Sequence, residues 1–547
     1  MSYGVHEKLV ACTSGLIPHS YLNYTTSTVT RPTIVSRILS YFVLTAIRRL
    51  ITTEEKRIME PVTIRKAGGV IMVTPPMTEI LAPVLRYTRR TQKGGNAREF
   101  EYVEVVPYEV REDVGGGCEF LITHAGLIPR ITRALQDFNV EVRIEDLNPL
   151  EIEEPQWNLV GKPRPGQDVI LAKIACTDRG QIVGPTGDGK SWIICQVCRM
   201  YPNTPILIVV ASKGEAKNIR DRLVGIFPTT EFGQIGGGKR DLDRRLTICV
   251  NRSLHVVDSM KTHPKMVLYD EVHTSAGKQT SYVLGHISEP GPKMFGFTAT
   301  ANMRGDGADM AVETLFGPVI HESEYEESVE KGNVVPIRVI MKSVPNGPII
   351  TVKRTDSVNR HGIWRNRIRN KLIAQDARDY SADGQQLMIK VATVEHGLEL
   401  LRELPDFVFV YSSMDPWLKE KYTKERVIDP AEHPLSKYQQ EEVQTLFTRG
   451  EIRRVIATCW NQGVDFPQLE VLIRADGLSA KTQNIQLPGR LSRHSDGKDC
   501  GLLIDYMDEF HKTLNGRAKI RARTYKKMQW DVRMPRRFGK RDETHVR

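Results

Sequence analysis

The sequence predicts an α/β protein: two tandem lobes, each built on a parallel sheet, preceded by a small α+β domain. Three observations carry this. From Gln181, short apolar runs (ILIVVAS, RLTICV, KMVLYDE, KMFGFTAT) alternate with helical segments, and such alternation argues for a parallel sheet covered on both faces. After Pro336 the alternation begins again with VIMKSV, QLMIKVAT, DFVFVYSS, RRVIATC, LEVLIRAD and GLLIDY. Between Pro61 and Pro149 the pattern differs: strand-like runs (VTIRKAGGVIMV, FEYVEVVPYEV, GCEFLITH), one helical period in LIPRITRALQDF and a closing strand in VEVRIED.

Taken in order, residues 1–58 form an extension with few acids, many Ser and Thr, and one amphipathic helix expected over Ile34–Ile51. Residues 59–150 are the small accessory domain, a nucleic-acid-binding candidate, with Met59 an alternative natural start. Pro149, Pro155, Pro163 and Pro165 then punctuate a linker into the first lobe, 151–335. The second lobe is expected over 336–510. Residues 511–547 read as a basic tail, with thirteen Lys or Arg against three Asp or Glu, so most of the net charge of +11 is C-terminal. That tail is either a solvated end or a phosphate-backbone contact.

A length of 547 residues and 40% hydrophobic content suit a multidomain chain with real cores. No stretch reaches the ~18 apolar residues of a membrane span. The best candidate, Ile38–Ile47, is fenced by Arg37, Arg48 and Arg49. A membrane role is not expected, and eight scattered cysteines suit a reducing compartment. Cys195 and Cys198 have half a zinc spacing with no second pair, and read as core. Gly115–Gly117 lacks the strand and helix of a dinucleotide fingerprint.

The chemistry begins with QIVGPTGDGKSW. From Gly184 through Thr186, Gly187, Asp188 and Gly189 to Lys190 and Ser191, the loop fits G-x-x-x-x-G-K-[ST], after a strand and opening a helix. Such a loop turns backbone N–H groups onto phosphate oxygens, with Lys190 reaching the β and γ phosphates and Ser191 ligating Mg²⁺. VLYDEVH, residues 267–273, adds an apolar strand ending in two acids. Asp270 is placed to hold Mg²⁺ and Glu271 to polarise an attacking water, which binding alone does not need.

With D-E-V-H, T-A-T at Thr298–Thr300 and QLPGRLSR at 486–493, the chain resembles superfamily 2 helicases of the DEAD/DEAH type. The resemblance implies RecA-like lobes with ATP between them. It brings Gln486, Gly489, Arg490 and Arg493 across the cleft, puts Gln167 where an adenine-reading glutamine stands, and lines the cleft with Gly463 and Asp465 of ATCWNQGVDFP. It makes His273, Thr298, Ala299 and Thr300 couplers. Gln462 and Leu487 depart from the usual Glu and Arg. The runs TATANMRGDGADMAVETLFGPVI, EKGNVVPIRV, VEHGLELLREL and IDYMDEF resemble the XPB and phage UvsW branch more narrowly, as does HAGLIPRITRALQDFNVEVRIEDLNP before the first lobe.

That branch implies a nucleic-acid-stimulated ATPase acting on single-stranded, forked or branched DNA in the cytoplasm, with RNA as a further candidate partner. Family position nominates Ser212, Lys213, Gly236, Gly237, Gly238 and Asn251 to Ser253 as first-lobe contacts, to phosphates more than to bases. The alternatives are a duplex translocase, an RNA helicase of the same superfamily and a non-hydrolysing scaffold. Intact Lys190, Glu271, Arg490 and Arg493 argue against the last.

Overall fold

Runs such as Ile206–Val210, Leu246–Val250 and Phe232–Gly236 are buried at every position, so each needs cover on both faces. A computed structural model of the chain supplies that cover; it describes residues 24–25, 61–92, 100–113, 117–299, 307–351, 354–429, 431, 437–460, 466–479 and 481–535. The helix expected at Ile34–Ile51, together with Thr300, Gly463 and Asp465, lies outside the described residues.

The first lobe is an eight-stranded sheet in the order Lys239–Arg240, Phe232–Gly236, Leu246–Val250, Ile206–Val210, Met266–Asp270, Lys293–Thr298, Arg179–Val183, Val319–Glu322. Every pairing is parallel except that of Lys239–Arg240. The order matters for chemistry, because parallel strands end on one edge and loops at that edge share a crevice. Register aligns Thr298 with Val183 and Asp270 with Phe297, so the glycine-rich loop, the acidic pair and the T-A-T segment leave adjacent strands together.

The second lobe is a wholly parallel seven-stranded sheet in the order Val408–Val410, Arg454–Ala457, Leu387–Lys390, Val471–Arg474, Gly501–Asp508, Ile337–Val344, Asp531–Arg533. Here the expected boundary at residue 510 is corrected. The first part of the supposed tail is a helix, Lys512–Lys527, followed by the last strand of the sheet. Its buried Arg521 donates to both oxygens of Asp505 at 2.7 and 2.8 Å, and Tyr525 OH donates to the same carboxylate at 2.7 Å. Burial would push Asp505 up, but the Arg521 charge and hydrogen bond outweigh it and hold the carboxyl below its ordinary range. Local composition registers charge and not burial, which is why half of this basic run reads as a tail.

The accessory domain is a five-stranded sheet in the order Glu109–Glu112, Glu119–His124, Val70–Thr74, Val62–Ala67, Val142–Asp146, packed on helices Thr78–Leu85 and Ile128–Gln136. A hairpin of Tyr87–Gln92 and Phe100–Val105 extends from it, joined on its edge by Tyr24–Thr25. The domain is seated against the first lobe with almost no space between the backbones. A Cβ on Gly69 would lie 1.9 Å from Ser288 O, and one on Gly126 would lie 2.5 Å from Glu313 O. Around these contacts Arg130 makes a bidentate pair with Glu313 at 2.8 and 2.5 Å, and Lys66 bridges Asp146 and Asp178 at 2.9 Å each. Arg89 Nη2 of the hairpin donates to Ala276 O at 2.7 Å, just beyond the acidic pair.

Two outcomes follow. Gly69→Ala forces backbones apart and is expected to destabilise the docked unit by about 1–3 kcal/mol, in the range of overpacking, read as a lower first transition in calorimetry. Ending the chain after Asn515 removes Arg521 and Tyr525, leaves Asp505 buried without its partners, and is expected to cost about 3–5 kcal/mol in the second lobe. A truncated chain that unfolds at the wild-type temperature would contradict this.

Candidate active site

The loop from Gly184 to Ser191 leaves the buried strand Arg179–Val183 and opens helix Lys190–Met200. Gly189 sits at φ 90°, a conformation that requires glycine, and a Cβ there would lie 2.3 Å from Gln167 Nε2 and displace that amide. Gly184 N donates to Thr298 O at 3.1 Å, tying the loop's first residue to the T-A-T strand. Lys190 Nζ donates to Gly184 O at 2.7 Å and to Pro185 O at 2.9 Å, curling over the cradle that phosphates enter. Burial lowers the Lys190 ammonium pKa against the pull of Glu271 and Asp270.

Asp270 closes the strand Met266–Asp270, and its Oδ1 accepts from Glu271 N at 3.0 Å. Glu271 adopts φ 55°, which swings its carboxylate to within 3.3 Å of His273 Nδ1. The same nitrogen lies 3.2 Å from Thr298 Oγ1, so the acid, the histidine and the T-A-T segment form one contiguous chain. Burial, then the Glu271 charge, push the Asp270 carboxyl up to about 6 despite Lys190. Burial alone would raise Glu271 as well, but His273, through its hydrogen bond and charge, and then Lys190 bring it below its ordinary value. Two carboxyls with opposed shifts in one buried site are the usual mark of divided roles.

The second lobe meets this group directly. Gln486, Arg490 and Arg493 line the same cavity of about 240 Å³ as Thr186, Gly187, Gly189, Lys190, Ser191, Asp270 and Glu271. Arg490 Nη1 donates to Trp460 O at 3.2 Å, fixing its stem in the second lobe. Its charge acts on Glu271 and Glu215, and that of Arg493 on Lys190 and Asp270. Ser492 Oγ stands 2.6 Å from Thr186 O and 2.6 Å from Gly489 O, which clasps the arginine-bearing turn onto the loop.

Some expected residues are arranged differently. The adenine-reading role of Gln167 meets an amide engaged at both ends: Nε2 donates to Asp188 O at 3.0 Å and Oε1 accepts from Arg164 N at 3.0 Å. In this structure Gln167 buttresses the loop. Asp188 also faces inward, accepting from Asn333 Nδ2 at 3.3 Å and Ser328 Oγ at 3.4 Å. Ser212 is the N-cap of helix Lys213–Val224 in a reciprocal capping box with Glu215, so its hydroxyl holds the helix. Asn251 joins Thr274 at 3.4 Å and Thr280 at 3.1 Å. Lys213 remains exposed beside the Gly236–Gly238 turn, where a Cβ on Gly237 would lie 3.5 Å from Lys213 Cδ and one on Gly236 2.9 Å from Ser253 Oγ. These residues share the strand-end edge with the nucleotide loop. Ala299 is buried behind them.

Sequence reasoning missed Glu215, whose pKa is raised to about 7 by burial and then by Asp270 and Glu271, and which lines the cavity with Trp192, Asn218 and Arg222. The S-x-x-E spacing of its capping box was the available signal. Cys195 and Cys198 are packed in the core of the first lobe, where burial pushes the Cys195 thiol up to about 12.

Residues 161–303, which hold the loop, the acidic pair and the T-A-T segment, match the family described as the Type III restriction enzyme, res subunit. The DNA 3'-5' translocase XPB2 of Sulfurisphaera tokodaii is 25% identical over 345 residues, 60% of this chain and 77% of that protein. Both likenesses support a helicase of superfamily 2. They indicate an ATP-hydrolysing helicase activity. Among solved structures, T4 UvsW is similar at 16% identity and a TM-score of 0.36, covering 87% of this chain and 99% of that one. The DNA-bound Type ISP restriction-modification enzyme LlaBIII is similar at 13% identity and a TM-score of 0.46, over 72% of this chain, which spans 33% of that larger protein.

The engaged amide of Gln167 sets an outcome. Gln167→Ala should loosen the loop and weaken ATP and GTP binding alike, by about tenfold for roughly 1.4 kcal/mol of lost hydrogen bonding. Equilibrium titration with both nucleotides checks it. A loss confined to ATP would return the side chain to the base.

Proposed function

We propose that the chain is an ATP-dependent DNA helicase or translocase that remodels forked or branched DNA, in phage recombination, repair or replication restart. The convergence of both lobes on one cavity carries this reading: Lys190, Ser191, Asp270 and Glu271 from one side, Gln486, Arg490 and Arg493 from the other. A site built across two bodies is completed or broken by their relative movement, so hydrolysis and motion are one event. The similarity to the DNA 3'-5' translocase of Sulfurisphaera tokodaii supports DNA over RNA as the track. No helix among the described residues is long and apolar enough to cross a membrane.

The donor set suits Mg²⁺: the Ser191 hydroxyl with an Asp270 carboxyl buried beside a second acid and only partly offset by Lys190. When bound, the ion supplies charge neutralisation on the phosphates. Lys190 leaves its loop carbonyls for the β and γ phosphates. Glu271, oriented by His273, polarises the attacking water. Arg490 and Arg493 stabilise charge on the transferring group, and Gln486 senses it. Thr298 carries the state of Glu271 and His273 along its strand to the edge where Lys213 and Gly236–Gly238 meet the phosphate backbone.

Arg490→Ala and Arg493→Ala should each leave ATP binding intact and lower turnover by about 10³ to 10⁵, whereas Lys190→Ala should weaken binding itself. Binding titrations and turnover with single-stranded, forked and four-way DNA and with RNA make the comparison. Stimulation by plain duplex alone favours a duplex translocase, stimulation by RNA alone an RNA helicase, and arginine variants that hydrolyse at the wild-type rate overturn the two-lobe site.

A further inference from the structure

The helix Lys512–Lys527 holds seven Lys or Arg and no Asp or Glu. Two of the seven serve the lobe: Arg521 is fully buried on Asp505, and Arg517 donates to Asn359 Oδ1 at 2.7 Å. The other five, Lys512, Lys519, Arg523, Lys526 and Lys527, are exposed. At about 100° per residue they fall within an arc of roughly 100°, opposite Leu514, Ala518, Ala522 and Tyr525, which are buried. They form one stripe about 22 Å long, at 1.5 Å per residue.

Two cations on other exposed helices are paired within a turn, Lys331 with Glu327 and Lys424 with Glu420. Among the described residues none of these five has a carboxylate partner. Five like charges on one face repel mildly and present a single sign of potential, which attracts an anion laid along it.

Topology gives the stripe a direction. The preceding strand, Gly501–Asp508, ends on the edge where the loops of a parallel lobe gather, and the helix returns across the sheet to the opposite edge. There Asp531–Arg533 pairs with the start of strand Ile337–Val344. Lys512 therefore stands near the strand-end edge and Lys527 away from it. Exposed Arg360 and Arg365, both paired with buried Glu395, lie at the near end beside Asn359.

We propose that this stripe is a second DNA-binding surface, a rail for the phosphate backbone of a duplex arm that leaves the motor cleft. It rests on the reading of the chain as a DNA motor and gives that motor a specific hold on a junction. The chemistry of the face selects the ligand. A single strand would call for exposed aromatic rings on which bases stack, and the helix's only aromatic residue, Tyr525, is buried, as is the Trp530 that follows it. A membrane surface needs an exposed apolar face, and the apolar face here is packed inside the lobe. A protein interface needs a desolvated apolar anchor, and Ile520, at 42% exposure, is the one large apolar side chain of this helix that is exposed. Evenly spaced cations with nothing to read bases are suited to phosphates alone.

The test uses the full chain carrying Lys519→Ala, Arg523→Ala and Lys527→Ala together, changes confined to exposed positions of a helix. Binding is followed by fluorescence anisotropy across a salt series, on a fork with duplex arms and on a single-stranded oligonucleotide, with ATP turnover on the single strand as the control for folding. The expected result is a fork affinity about tenfold weaker and a salt slope shallower by about 2 to 3, at roughly 0.9 per duplex phosphate released, with single-strand binding and turnover unchanged. Unchanged fork affinity and slope overturn the rail, and leave the stripe to an acidic protein. An equal loss on both DNAs also overturns it, by placing the stripe on the main track. A wild-type chain that no DNA stimulates sinks the motor reading, a result distinct from either.

Discussion

Both lobes, and the linker between them and the accessory domain, hold backbone atoms of one eight-residue loop. Gly184 N is bonded to the T-A-T strand, Thr186 O to Ser492, Gly187 O to Arg164 and Asp188 O to Gln167, while Lys190 occupies the carbonyls of Gly184 and Pro185. The Asp188 side chain takes up Asn333, in the segment that leads to the second lobe. Buried polar groups of this kind must be satisfied by something. A nucleotide that competes for any of them therefore alters the balance for its neighbours, and the loop becomes the point at which both lobes and the linker are informed of the same event.

The acidic pair extends this dependence. Because Glu271 is held in a left-handed conformation at a strand end, its carboxylate is aimed along the sheet edge at His273, and His273 in turn at Thr298. The backbone of Thr298 is also the partner of Gly184, so the Glu271–His273 pair and the glycine-rich loop share a residue. That is a short, wholly local connection. In the proposed function, coupling of this site to the strand-end edge needs no long-range pathway, only the strand that both touch.

What was legible in the sequence follows from how local each feature is. The strand, glycine loop and helix around Lys190 are contiguous, and the apolar run into Asp270 and Glu271 is a signal of the same kind, so both read directly. The second lobe was legible as a parallel sheet from its apolar runs. Its last helix and strand were not, since Arg521 and Tyr525 acquire their meaning from Asp505, distant in the pattern though adjacent in space. The amide of Gln167 could be located but not oriented, because its partner carbonyl belongs to a loop conformation. Ser212 has the same difficulty in reverse: the capping spacing to Glu215 was visible and pointed to a helix end, and the family position drew attention away from it.

The accessory domain touches the first lobe through glycines that leave no room for a side chain, under a bidentate Arg130–Glu313 clamp. Such a seam tolerates neither sliding nor rotation, since a shift of a few tenths of an ångström brings backbone into backbone. Mechanically the accessory domain and the first lobe are a single rigid arm. The strands Tyr87–Gln92 and Phe100–Val105, tied to the first lobe by Arg89 on Ala276 O, belong to that same arm, so any rotation of the lobe carries them through the same angle as the glycine-rich loop.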